Sequence, residues 1–305
     1  MRRSGLGALP GARRGRRRLA LCGLAALCLV GPAPAAGAAG PARAVPRFKH
    51  VVVVVFENKE RDGIVGNPAA PTFAALGRRY ARLSAFTAVA HPSLPNYLAL
   101  VSGSTQGIHS DCTSCIVGGP SLADTLEGAG LTWKTYAEGL PEPGFLGASA
   151  GLYAKKHDPF LYFRQVADDP ARRALVVPFT QFRRDLRTGR LPTFALVVPN
   201  LCNAMHDCPV ATGDLWLRRE IVPLLGAREL AGSVVFVVFD EGSSDVGGGG
   251  RVAALALGPA VRLGSRFGLP TSHYGLLRTI EDAWGLPRLG LSAGARPITG
   301  IWAPG

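Results

Sequence analysis

The chain has 305 residues and a formal net charge of +13, from 34 Lys and Arg against 21 Asp and Glu. With 47% hydrophobic and 18% charged residues it is too apolar for wholesale disorder, and its 39 Gly and 24 Pro follow no collagen-like period. The charge suggests a nucleic-acid or acidic-membrane partner, but its distribution argues against either: seven basic residues lie before position 20, and the rest of the chain carries 27 basic against 21 acidic residues, only +6.

Those seven arginines, from Arg2 to Arg18, lead into an apolar run over 19–30 and then into small residues over 31–39. A basic start, a short apolar stretch and Ala-x-Ala steps (Ala33-Pro34-Ala35, Ala36-Gly37-Ala38) describe a secretory signal peptide over residues 1–38. The run is short of the ~20 residues a spanning helix needs. The expectation is a secreted protein with no stable membrane insertion; an uncleaved anchor is the alternative. Beyond the signal stand Cys112, Cys115, Cys202 and Cys208, whose pairing the sequence leaves open. Disulfides suit an exported chain better than a zinc or redox site.

In chain order, the run 51–56 is β-branched without polar alternation, as expected of a strand buried on both faces of a parallel sheet. Helical spacing follows over 71–83, and a short helix over 95–101 closes at Ser102-Gly103. Residues 131–136 read as a strand, and 140–190 as an excursion with helical pieces near 170–188. Further strands are expected at 193–198, 233–239 and 251–257, with helices over 214–225 and 271–284. Strands alternating with helices indicate an α/β fold with a mainly parallel sheet.

The buried strands end in groups a core would not choose: Glu57-Asn58 after the first, Asn200 after the second, Asp240-Glu241 after the third. In open parallel sheets ligands bind beyond the carboxyl ends of the strands, which would gather Glu57, Asn58, Asp240 and Glu241 at one edge. Three carboxylates and an amide oxygen suit Mg²⁺, Ca²⁺ or Mn²⁺, with Zn²⁺ if histidine joins. Ser93, in His91-Pro92-Ser93-Leu94-Pro95-Asn96-Tyr97, lies at the start of a helix, where backbone N–H groups and the helix dipole favour phosphate. The sulfatase pattern Cys/Ser-x-Pro-x-Arg is ruled out by Tyr97. His157, His206 and His273 are candidate groups for the phosphoryl site. Gly247–Gly250 lacks the Lys-Ser/Thr of a P-loop and reads as a flexible loop beside the site.

The ordered set Glu57-Asn58, His91-Pro-Ser-Leu-Pro-Asn-Tyr-Leu98, Leu131-Thr-Trp-Lys-Thr-Tyr136, Lys156-His-Asp-Pro-Phe160, Pro199-Asn-Leu-Cys-Asn203, Met205-His-Asp-Cys208 and Phe239-Asp-Glu-Gly242 resembles the bacterial phosphoesterase family of secreted acid phosphatases and phospholipases C, in the alkaline phosphatase superfamily. The resemblance implies a three-layer alkaline-phosphatase-like α/β domain over 47–287, with 288–305 as a C-terminal tail. It also implies a phosphomonoesterase forming a phospho-serine at Ser93, with a phosphodiesterase or phospholipase C as the alternative and a non-catalytic binder as a third reading. Glu57, Asn58, Ser93, Asp240 and Glu241 match metal ligands; Asn96 and Asp111 fall where related enzymes contact the substrate, and His157 and His273 are the further candidates for substrate binding. Relatives tend to carry Asp where this chain has Ala204, which favours one divalent metal ion, with His206 as acid or phosphate contact. The implied partner is a small phosphoester, a phospholipid or phosphoinositide among the candidates.

Overall fold

The computed structural model describes residues 44–304, so the expected signal peptide lies outside them. Eight strands form the main sheet: β1 (Val51–Phe56), β2 (Ala81–Leu83), β3 (Trp133–Ala137), β4 (Val176–Pro178), β5 (Phe194–Val198), β6 (Val234–Phe239), β7 (Ala254–Leu257) and β8 (Arg266–Phe267), in the spatial order β8-β2-β7-β6-β1-β5-β3-β4. β7 runs antiparallel to both neighbours and every other pairing is parallel. The apolar runs β1, β5 and β6 occupy the middle and are buried along their whole length, as their lack of polar alternation requires.

The principal helices are α1 (Pro71–Arg79), α2 (Ser93–Ser102), α3 (Leu122–Gly128), α4 (Thr180–Arg187), α5 (Val210–Glu220) and α6 (His273–Trp284). Phe56 and Phe239 end β1 and β6 in register and point to one face, where Phe73 of α1 and Trp216 of α5 pack edge-on against them. Because strand side chains alternate, Glu57 and Asp240 turn to the opposite face, against which α2 and α6 pack together. The result is helices, sheet, helices. Asp214 of α5 accepts from Thr72 N and Phe73 N at 3.0 and 2.9 Å and so caps the start of α1.

Several boundaries differ from the sequence reading. The helical pattern over 71–83 stops at Arg79, because Ala81–Leu83 is taken into the sheet as β2. The strand β4 interrupts the helical pieces near 170–188 by pairing with β3. α5 begins at Val210 rather than 214, and Thr271–Ser272 pairs with Phe86–Thr87 before α6 starts. The segment expected as a tail is packed: Leu289, Ile298 and Ile301 are buried, and Trp302 lies edge-on to Phe48 and Phe236. Gly103, the left-handed C-cap of α2 at φ 67°, admits that segment, since a Cβ there would meet the Leu289 carbonyl oxygen at 1.9 Å.

Candidate active site

The site is built where β1 and β6 end side by side. Asn58 follows Glu57 at φ 48°, a left-handed conformation that Asn tolerates better than most residues. Its N–H donates to Asp240 Oδ1 at 3.0 Å, and the Glu241 N–H donates to the same oxygen at 2.6 Å. One carboxylate thus ties both strand ends together. The 199–208 loop closes over them, with Glu57 N donating to Ala204 O at 2.9 Å. Disulfides join Cys202 to Cys208 in this loop and Cys112 to Cys115 in another.

Ser93 is the first residue of α2 and is fully buried. Its Oγ lies 3.2 Å from Glu57 Oε2, 3.1 Å from Glu241 Oε1 and 3.5 Å from Asn58 Oδ1. A hydroxyl has one hydrogen, so it can donate to only one of these oxygens. One turn on, the Tyr97 hydroxyl donates to Glu57 Oε1, and on the far side His91 Nδ1 pairs with Glu241 Oε2. His157, buried and stacked on Tyr97 at 5.2 Å between ring centres, brings Nε2 to 3.1 Å from Glu57 Oε2. That contact is not aligned as a hydrogen bond, so among the described residues Nε2 has no hydrogen-bond partner, and neither has the buried Asp240 Oδ2.

The electrostatics follow from burial. Desolvation raises Glu57 to about 7 despite the Tyr97 hydroxyl. Asp240 is held well above the carboxylate range by burial and then by the charges of Glu57 and Glu241. Burial lowers His157 to about 3, with Lys156 adding to the effect, and lowers His273 to about 4. His273 Nε2 lies 2.7 Å from the Asp240 carbonyl oxygen, so this imidazole braces the strand end from α6. The site therefore gathers buried acidic oxygens beside the imidazoles of His157 and His273, with the Lys156 ammonium close enough to favour ionisation of Glu57.

Asp111 accepts from Leu94 N at 2.9 Å through Oδ1 and pairs with Lys156 Nζ at 2.9 Å through Oδ2. It holds an anion's place at the N-terminus of α2, beside Ser93. Burial opposes the Lys156 charge, but the Asp111 contact outweighs it and keeps the ammonium more basic than usual. His206 is half-buried at the rim, with Nδ1 2.6 Å from Asp207 Oδ1 and its ring 6.2 Å from that of His157.

Two expectations are corrected. Asn96 does not face a substrate: it is 1% exposed, its Oδ1 accepts from Val89 N and Ala90 N, and its Nδ2 donates to Ala90 O and Pro92 O. All its hydrogen-bonding capacity goes into clamping the loop that presents Ser93. Gly247–Gly250 is a packing seam rather than a free loop, since a Cβ on Gly248 or Gly249 would sit 2.4 or 2.3 Å from the carbonyl oxygens of Val89 or Ala90. Asn200, for its part, stays outside the cluster and folds its own loop, accepting from Cys202 N and Asn203 N. His91, Tyr97 and Lys156 are the participants the sequence reading missed; a sequence signal existed only in their neighbours Ser93 and His157.

Among the described residues, no three His, Cys, Asp or Glu side chains already form a metal-ligand group. The donor chemistry nonetheless suits a hard cation: Glu57, Asn58, Ser93, Asp240 and Glu241 present oxygens, with Asp240 Oδ2 buried and unpartnered.

The model of the phosphoesterase family matches residues 67–287. This chain belongs to the phosphoesterase family. It is a hydrolase acting on phosphoric esters. A phosphatidylinositol-3-phosphatase of Mycobacterium tuberculosis is 38% identical over 293 residues, covering 94% of each chain. An acid phosphatase of Aspergillus fumigatus is 32% identical over 220 residues, covering 68% of this chain but only 49% of that longer protein. Among solved structures, an alkaline phosphatase superfamily protein from Vibrio parahaemolyticus superposes with a TM-score of 0.56 at 14% identity, over 84% of this chain and 71% of its own. The lipoteichoic acid synthase LtaP of Listeria monocytogenes gives 0.54 at 14% identity, over 82% and 75%. These two likenesses concern the fold alone, which is that of the alkaline phosphatase superfamily.

Proposed function

We propose that the protein is an exported, metal-dependent phosphomonoesterase in which Ser93 attacks phosphorus and becomes transiently phosphorylated. The observation that carries this reading is the Ser93 hydroxyl, set at a helix N-terminus with three side-chain oxygens within 3.5 Å and only one hydrogen to share. Such crowding of acceptors is what a shared cation relieves, and Glu57, Asn58, Ser93, Asp240 and Glu241 are the residues that would hold one. When bound, a divalent cation supplies charge neutralisation of the phosphoryl oxygens and favours the serine alkoxide.

The chain's own residues supply the remainder. Glu57 and Glu241 are placed to take the Ser93 proton, and Tyr97 and His91 fix the orientation of those two carboxylates. Lys156 and the N-terminus of α2 face the phosphoryl group as its charge grows. His206 at the rim is placed to return a proton to the leaving oxygen. Asn96 keeps the nucleophile's loop in one shape, which is where much of the advantage of a positioned serine arises.

The 38% identical relative named for a phosphoinositide supports a phosphomonoester on a lipid headgroup as the substrate class. Disulfides at two loops support an extracytoplasmic setting. The test is Ser93→Ala assayed on p-nitrophenyl phosphate. Complete loss of turnover with an unchanged circular dichroism spectrum is expected; retained turnover removes Ser93 from the chemistry. Faster cleavage of bis-p-nitrophenyl phosphate than of the monoester would favour the phosphodiesterase alternative.

A further inference from the structure

On the edge of the sheet away from Ser93, a cavity of about 370 Å³ opens between α1 and strands β2, β7 and β8. Its floor is apolar, with Phe73, Leu83 and Leu255, and its walls carry Arg61, Arg78, Arg82 and Arg266. Among the described residues, no acidic side chain lines it. Arg82 and Arg266 are direct cross-strand partners, a pairing of like charges that costs a sheet stability. Among the described residues, Arg78 and Arg82 make no side-chain hydrogen bond or ion pair, whereas Arg61 pairs with Asp62 and Arg266 donates to Ser84 Oγ. A protein that needed these arginines only for solubility would not stack them around one apolar hollow.

The surroundings add apolar surface. Leu263 and Leu269 flank β8 and are 63% and 46% exposed, and Val65 at the cavity wall is 40% exposed. Although it lies to one side of Ser93, the cavity reaches the edge formed by the carboxyl ends of the parallel strands, where the active site also stands. Leu83 and Ser84 end β2 at that edge, and Ala253 and Ala254 begin the antiparallel β7 there. Arg61 stands three residues beyond Asn58.

We infer that this edge docks on an anionic phospholipid surface, with a lipid phosphate among Arg61, Arg78, Arg82 and Arg266 and the flanking leucines in the interfacial layer. Arginines supply the charge complementarity and exposed leucines the apolar anchor, the combination that interfacial binding requires. The inference is separate from the chemistry at Ser93: it assigns a lipid-binding face, not a second reaction.

Co-sedimentation of the purified protein with vesicles tests it, using phosphatidylcholine alone and phosphatidylcholine mixed with phosphatidylglycerol. The protein should bind the anionic vesicles and not the neutral ones, less so as salt is raised. The double variant Arg82→Gln/Arg266→Gln should bind roughly thirtyfold more weakly, the effect of removing two surface arginines from an anionic membrane. Its thermal midpoint and its turnover of soluble p-nitrophenyl phosphate should not fall. Leu263→Ser/Leu269→Ser, which leaves every arginine in place, should also weaken vesicle binding. Wild-type binding by the arginine variant, or equal binding to neutral and anionic vesicles, overturns the inference. Full competition by inorganic phosphate at an ionic strength held constant with chloride overturns it as well, since that marks a free-anion pocket in place of a membrane face.

Discussion

Replacing Glu281 by Gln should stabilise the protein at neutral pH and leave it nearly unchanged in acid. Glu281 lies in α6 and is 1% exposed. Its Oε1 accepts from Leu289 N at 2.8 Å and its Oε2 from Ser292 Oγ at 2.6 Å, which ties the C-terminal segment to the helix. Burial raises the carboxyl from 4.5 to about 7, against the opposing pull of those two hydrogen bonds and of Arg278 and Arg288. The folded protein therefore holds this proton more tightly than the unfolded chain. The stability it brings is complete below about pH 4.5 and is lost as pH rises through about 7. At about 1.4 kcal/mol for each unit, the displacement amounts to about 3 kcal/mol. Gln resembles the protonated acid, because its oxygen can accept from Leu289 N while its amide donates to Ser292 Oγ. Urea unfolding with the disulfides intact, repeated across this range, should show the variant level with wild type at the acid end and ahead by up to about 3 kcal/mol at the alkaline end. A difference that does not change with pH, or a variant that is weaker above pH 7, would refute the reasoning.

The other predictions concern the active site and its supports. Asn96→Ala leaves the half-buried amides of Val89 and Ala90 without their side-chain acceptor, so it should destabilise the protein by roughly 1–3 kcal/mol and lower kcat; thermal unfolding and steady-state kinetics check this. Lys156→Met should raise KM for p-nitrophenyl phosphate by about tenfold to a hundredfold, and Lys156→Arg should recover part of the loss, whereas equal defects in both variants would show that Lys156 is only structural. Treatment with a chelator should abolish turnover and a divalent cation should restore it; undiminished turnover after verified removal of metal contradicts the proposed cofactor. Gly249→Ala should misplace the Ser93 loop, because its Cβ would overlap the Ala90 carbonyl oxygen, and kcat should fall with little change in circular dichroism.

The parts of this protein that were legible in its sequence are those fixed by local chemistry. Unbroken apolar runs mark β1, β5 and β6 as central strands, and the polar residues that end those runs mark the sheet edge where Glu57 and Asp240 meet. The parts that were not legible depend on distant partners. β2, β4 and β8 span three residues or fewer and exist because the sheet offers a neighbour, so no periodicity announces them. Asn96 looks like a ligand group until its loop is seen folded around it. Lys156 acquires its place only through Asp111, 45 residues earlier. Gly247–Gly250 reads as slack in one dimension and is a tight fit in three.

The central claim is that Ser93 carries the phosphoryl group during turnover. Rapid acid quenching of the protein with p-nitrophenyl phosphate, followed by peptide mass mapping, tests it most directly. The account predicts one phosphoryl group on the peptide containing Ser93, absent from Ser93→Ala. A turning-over enzyme whose phosphoryl group appears on another residue would contradict it.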